Sequence, residues 1–152
     1  MILDALTQFA DAESVANAAG TNLIGDVIDI GALRDIGQGQ PLYLVIRCQT
    51  EIITGGAAGT IQFQLASSAA ATMTAPNIHF QTDTFVTDDT IPTELRAGDT
   101  IAVIALPMEN PAYLRYLGIL AVVATAATTA GAIDAFLTPD VSAWKAYADA
   151  NN

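Results

Sequence analysis

Hydrophobic residues fall on every second position along much of the chain. Leu42, Leu44, Ile46 and Cys48 alternate with Tyr43, Val45, Arg47 and Gln49; Ile61, Phe63 and Leu65 alternate with Thr60, Gln62, Gln64 and Ala66. A period of two sends the two sets to opposite faces of a strand. The glycine-rich "TGGAAG" between these stretches reads as a turn, so the pair is expected to form a hairpin. Shorter alternations predict a strand over residues 27–30, with Ile28 and Ile30 inward. Another is expected over 78–82, with Ile78 and Phe80 inward and His79 and Gln81 outward. Residues 100–106 follow the turn-like "RAGD" and are apolar on both faces, the pattern of an inner strand covered on both sides.

The stretch "YLGILAVVATAATTAGAI", residues 116–133, carries no charge. About 18 such residues is the length at which a membrane-spanning helix becomes a candidate. Its threonines, alanines and glycines, and the absence of paired aromatic and basic anchors at its ends, argue against a span. "AATTAG" reads instead as a turn, giving strands over 114–125 and 132–138 joined as a hairpin. Asp134 then lies on the outward face, opposite Ile133, Ala135 and Leu137. Seven or eight short strands with no long amphipathic helix predict an all-β domain: an antiparallel β-sandwich, a jelly roll.

The two ends depart from the alternation. Residues 1–20 are rich in alanine, and Leu3, Leu6 and Phe9 are spaced about one helical turn apart. At the other end Thr138 is a candidate N-cap with Pro139 in the first helical position, and Val141, Trp144 and Ala148 line one face. A helix this short must dock on something to persist. The expectation is a single domain over 1–152, with an N-terminal arm (1–20) and a C-terminal tail (139–152) that are short and irregular or helical.

Composition narrows the function. Sixteen acidic residues stand against five basic ones, a formal net charge of −11. Arg34, Arg47, Arg96, Arg115 and Lys145 are scattered singly, so the cationic footprint that displaces counterions from nucleic acid is missing. Charged residues make up only 14% and hydrophobic ones 52%, which leaves apolar patches on the surface, and such patches meet partners. The N-terminus lacks the basic region and apolar core of a secretory signal. The chain reads as made and kept in cytoplasm, or in something assembled there.

Candidate chemistry is sparse. His79 is the only histidine and Cys48 the only cysteine. A metal-binding jelly roll of the cupin kind uses several histidines, and His79 is expected as an exposed residue without a role. Cys48 falls on the inward face of its strand with no activating base nearby, the setting of a structural thiol. Neither "GQGQP" nor "GGAAG" leads into a helix or carries the lysine of a phosphate loop. Asp88 and Asp89 lack the alternating spacing of a calcium loop. Arg34 and Asp35 form either a local ion pair or a contact to a partner. No enzyme, cofactor or metal is expected.

The segments "MILDALTQFADAESV", "VIDIGALRDIGQGQPLYLVI", "GTIQFQL", "YLRYLGILAVVATAATTAGAIDAFLT" and "DVSAWKAYADA" together resemble capsid cement (decoration) proteins of tailed phages, of the type known from a Bordetella short-tailed phage. The likeness runs in order along nearly the whole chain, and residues 67–100 match it less well. It implies a jelly roll on the outside of an icosahedral head, bridging major capsid subunits, self-associating as a dimer, and touching neither the genome nor a membrane. It also implies that the two ends and the Arg34 loop make contacts: Ile2, Leu3, Leu6 and Phe9 in the arm, Arg34 and Asp35 in the loop, Trp144 and Tyr147 in the tail. The competing reading is a carbohydrate-binding sandwich of a phage head fibre or tail component, using Tyr43, Tyr113, Tyr116 and Trp144 as the stacking platform.

Overall fold

The computed structural model describes residues 5–31, 41–56, 58–89, 95–107 and 111–141. Among them a single 3-10 turn, Ala5–Thr7, precedes nine strands: β1 (Gln8–Ser14), β2 (Gly20–Asp29), β3 (Tyr43–Ile53), β4 (Thr60–Ser68), β5 (Asn77–Gln81), β6 (Phe85–Val86), β7 (Thr100–Ala105), β8 (Tyr116–Ala124) and β9 (Ala130–Thr138). They form two antiparallel sheets. One runs in the order β1-β9-β3-β7; the other runs β2-β8-β4-β5, with β6 also alongside β4. From β1 to β4 the chain changes sheet at every connection, and it does so again from β7 to β9. Two sheets wound together in this way are a jelly roll, the fold the alternation predicts.

The inward positions of both sheets meet as expected. Leu44, Ile46 and Cys48 of β3, Ile61, Phe63 and Leu65 of β4, Leu117, Ile119, Ala121 and Val123 of β8, and Ile133, Ala135 and Leu137 of β9 share one core. Asp134 sits on the opposite face of β9, half-buried, where it accepts the Ala12 N–H at 2.8 Å. The charge-free stretch is therefore a sheet-spanning pair of strands, and no helix among the described residues is long and apolar enough to cross a membrane.

Four local expectations are corrected. First, neither predicted hairpin forms: β3 and β4 lie in different sheets, and so do β8 and β9. Their connections are arches between the layers. A stretch of about six residues spans the roughly 10 Å between stacked sheets as readily as it closes a hairpin, and the alternation is the same in both cases. The arches are held by threonines. Thr54 donates its N–H and hydroxyl to the Thr87 carbonyl at 2.7 and 2.9 Å. Thr128 donates its hydroxyl to the Val15 carbonyl and accepts the Asn17 N–H at 2.9 Å. Second, β7 is a sheet edge, not an inner strand, and its Val103 is 42% exposed.

Third, the N-terminal segment is not an irregular or helical arm throughout. β1 pairs with β9, and Phe9 is 1% exposed in the core. The helical spacing of Leu3, Leu6 and Phe9 is overridden by that pairing. Fourth, β5 bulges against β4: Leu65 faces Phe80 but Ala66 faces Ile78, leaving His79 as the extra residue. A bulge of this kind re-aims side chains. Phe80 packs on the main core, Ile78 joins Ala66, Met73 and Leu120 in a separate cluster, and His79 turns toward buried Ser67. At the far end Asp140 donates its N–H to Thr138 Oγ1 at 3.3 Å, as an N-cap would receive it; the helix expected beyond it lies outside the described residues.

Candidate functional site

The residues expected to make contacts divide three ways. Leu6, in the short turn before β1, is 79% exposed, the most exposed of the large hydrophobic residues described. Phe9 belongs to the core. Ile2, Leu3, Arg34, Asp35, Trp144 and Tyr147 lie outside the described residues. The end of β2 carries an ion pair that the sequence does not announce. Arg115 reaches Asp29 through two parallel bonds, Nε to Oδ1 at 3.0 Å and a terminal nitrogen to Oδ2 at 2.8 Å. Its guanidinium also stands 5.0 Å over the Tyr116 ring. Asp29 and Tyr116 are paired positions on β2 and β8, which is how residues distant in sequence become neighbours. The Arg115 bond, then the Gly31 N–H, hold the Asp29 carboxyl below its ordinary range, and the same bond raises the Arg115 pKa.

His79 has a defined place. Its Nε2 lies 2.7 Å from Ser67 Oγ, and its ring stacks on Tyr113 with centroids 3.9 Å apart. Ser67 Oγ accepts the Leu114 N–H at 2.9 Å, which leaves its own proton free for Nε2. Tyr113 donates its hydroxyl to the Pro107 carbonyl at 2.7 Å. Burial lowers the His79 pKa and lifts that of Tyr113 to about 12. Ser67 is fully buried, and His79 Nδ1 is buried without a hydrogen-bond partner. A nucleophile needs both access and an oriented base; this trio ties β4, β5 and the segment before β8 together. Tyr113, enclosed in that stack, is not available as a sugar platform.

Cys48 is buried on the inward face of β3, as its position predicts, and donates its thiol to the Thr50 carbonyl at 3.2 Å. Burial, reinforced by Asp99 and Glu51, pushes its pKa to about 12, so it stays a thiol. Acidic side chains Asp11, Glu13 and Asp26 line a cleft between β1 and β2, yet no group of metal-ligating residues that could hold an ion occurs among the described residues.

Apolar surface is the more prominent feature. On the outer face of the β2-β8-β4-β5 sheet, Leu23, Met73, Ile78 and Leu120 line a shallow groove of about 400 Å³. Gly118 forms part of its setting: a Cβ there would press on Leu23 and Met73 at 3.1–3.3 Å. A second groove, of about 350 Å³, opens between β5/β6 and β7, where Phe80, Phe85, Ile101 and Ile104 share the lining with Gln81, Thr82 and Asp83. Both arise from strands whose sequence is apolar beyond what one buried face requires. The sequence predicts an excess of apolar surface and places it at the chain ends, which beyond residues 5 and 141 lie outside the described residues; the two grooves lie on the body.

A family model, Bbp16, matches residues 9–137, from the second residue of β1 to the penultimate residue of β9. The chain belongs to the Bbp16 family. The family carries the name of a Bordetella phage protein, and the match includes residues 67–100, where the expected resemblance was weakest. No curated protein matches the chain.

Proposed function

We propose that this Bbp16-family protein is a structural component of a phage head: a cement protein that binds the outer surface of the icosahedral shell and bridges major capsid subunits. The observation that carries the reading is the family match across the whole jelly roll, on a body whose outer faces carry apolar grooves and whose polar clusters are consumed by structural bonds. A ligand that binds the assembled shell and not dispersed subunits stabilises the shell by mass action. Binding of this kind rests on a few well-packed apolar anchors, and exposed Leu6 is the described residue best placed to be one, joined by the ends and the Arg34 loop. The partners are the major capsid protein and a second copy of the chain. With a charge of −11, neither nucleic acid nor an anionic membrane surface is favoured. The location that follows is the exterior of the virion, after synthesis in the host cytoplasm.

The test is to add the purified protein to heads of its own phage that lack it, then image the particles and follow their resistance to heat. Added density on the outer shell and a raised disruption temperature are expected. Density confined to the tail or a fibre, or no binding to heads, overturns the reading.

A further inference from the structure

Among the described residues four strand edges have no strand hydrogen-bonded to them, and three of these are poorly suited to pairing. β1 has two register shifts against β9, a left-handed residue at Ala12 (φ 52°), and the acidic Asp11 and Glu13. β2 shifts register between Ile24 and Ile28, around Gly25 and Asp26. β5 is five residues long and bulged at His79, and β6 beside it has only two residues. Bulges, brevity and charge are the ordinary means of keeping an edge from recruiting another strand. β7, six residues long, shifts register once, at Ile101, and is regular beyond it. Its residues from Ala102 to Ala105 pair consecutively with Ile46 to Tyr43, and Thr100–Ala105 carries no charge and no proline.

We infer that β7 pairs antiparallel with β7 of a second copy of this chain, about a twofold axis near Val103, fusing two four-stranded sheets into one. The Leu106 N–H donates to the Leu42 carbonyl at 2.8 Å; by the alternation of an antiparallel ladder, the N–H and C=O of Val103 and Ala105 then point away from β3, toward the open edge. Antiparallel pairing of a strand with itself is self-complementary, as a twofold interface must be. Of the edges, this is the one where charge least opposes a like partner. Two copies each at −11 repel one another, and β7 offers the approach that sets no carboxylates of the strand itself face to face, as β1 or β2 would. The geometry also deals with the adjacent groove. Sandwiches joined side by side at β7 bring the same open margin of both copies together, so Phe80, Phe85, Ile101 and Ile104 of each adjoin the junction, with Asp83 at the rim.

The inference rests on the self-association in the proposed function, but its test needs no phage heads. Wild-type protein should sediment at twice the chain mass of 15.8 kDa. Val103→Lys, which sets like charges opposite each other across the axis, should sediment at the single-chain mass with an unchanged circular dichroism spectrum. Mixing it with Val103→Glu should restore the double mass. As a check independent of any charged variant's folding, Val103→Cys should cross-link to a covalent dimer under mild oxidant, since Cys48 is buried. A wild-type monomer at high concentration, a Val103→Lys dimer, or no Val103→Cys cross-link overturns the pairing. A wild-type dimer that ignores heads would instead defeat the cement reading and leave the pairing standing. A wild-type monomer that binds heads through β7 would mean that the edge takes a strand of another protein.

Discussion

The two margins of the sandwich are built differently. On one side β1 packs against β2, so closely that a Cβ on Gly25 would collide with the Phe9 carbonyl oxygen; Gly25 takes φ +64° and leaves that space to the backbone. Phe9, Ala10 and Val15 are buried behind this seam. On the other side the sheets part, β7 faces β5 and β6 across an apolar groove, and Ile101 and Ile104 are only half-buried. At the first margin the chain packs its own apolar residues away beneath the acidic cleft of Asp11, Glu13 and Asp26. At the second, no strand among the described residues lies beyond β7, and that is where the proposed second copy would sit.

The sharpest way to break this contrast is Phe9→Ala. A fully buried phenylalanine truncated to alanine costs about 3–5 kcal/mol, a large share of the total stability of a domain. Chemical denaturation of the isolated protein should show that loss regardless of protein concentration. An effect well under 1 kcal/mol would mean that Phe9 is the exposed arm residue the sequence suggested.

The second variant addresses the open side. Ser67→Ala removes the acceptor of the Leu114 N–H and the partner of His79 Nε2, leaving buried polar atoms unsatisfied, and should cost about 2 kcal/mol. The histidine also gives a pH signature. Burial lowers its pKa in the folded state below the ordinary 6.5, so the unfolded chain takes up the proton first as pH falls. Stability is therefore whole above about 6.5 and declines as pH falls toward the folded value. His79→Asn should flatten the thermal-melting profile in that window; an unchanged profile would mean that the slope belongs to carboxylates.

How the pattern spoke for these features is instructive. The period-two alternation of β3, β4, β8 and β9 placed the core residues correctly, because burial on one face is what selects those side chains. It could not say which strands sit side by side and which stack, because "TGGAAG" and "AATTAG" reverse the chain either way; the threonines that bridge the layers find their partners only in three dimensions. The His79 bulge was equally silent. One unpaired residue turns the ring inward, and the sequence "NIHFQ" alternates as an unbulged strand would. Apolar residues on both faces of residues 100–106 were a true signal given the wrong meaning: an uncharged edge looks like a covered strand until the topology is known. Ile2, Leu3, Arg34, Asp35, Trp144 and Tyr147 lie outside the described residues.

Ile104→Ala sharpens the contrast in the other direction. The side chain is half-buried in the monomer, so its truncation should cost only about 1–2 kcal/mol. If the margin is completed by a second copy, part of that loss appears only where dimers are populated, and the difference from wild type should grow with protein concentration. A loss that is the same at all concentrations would mean that the groove of Phe80, Phe85, Ile101 and Ile104 is no part of the junction.

The smallest effect belongs to the Asp29–Arg115 pair, which joins the ends of β2 and β8 away from the open margin. Both side chains are well exposed, 42% and 53%, and water and salt screen such pairs even when the bonds are parallel. Asp29→Asn should lower the melting temperature less than Phe9→Ala, Ser67→Ala or Ile104→Ala, and the difference should shrink further in high salt. The sign with pH is fixed by the Arg115 bond, which lowers the Asp29 pKa from 3.8. The contribution is present above about 3.8 and disappears as pH falls through the folded value. A salt-insensitive loss as large as that of Ser67→Ala would show instead that the pair is a structural tie between the ends of β2 and β8.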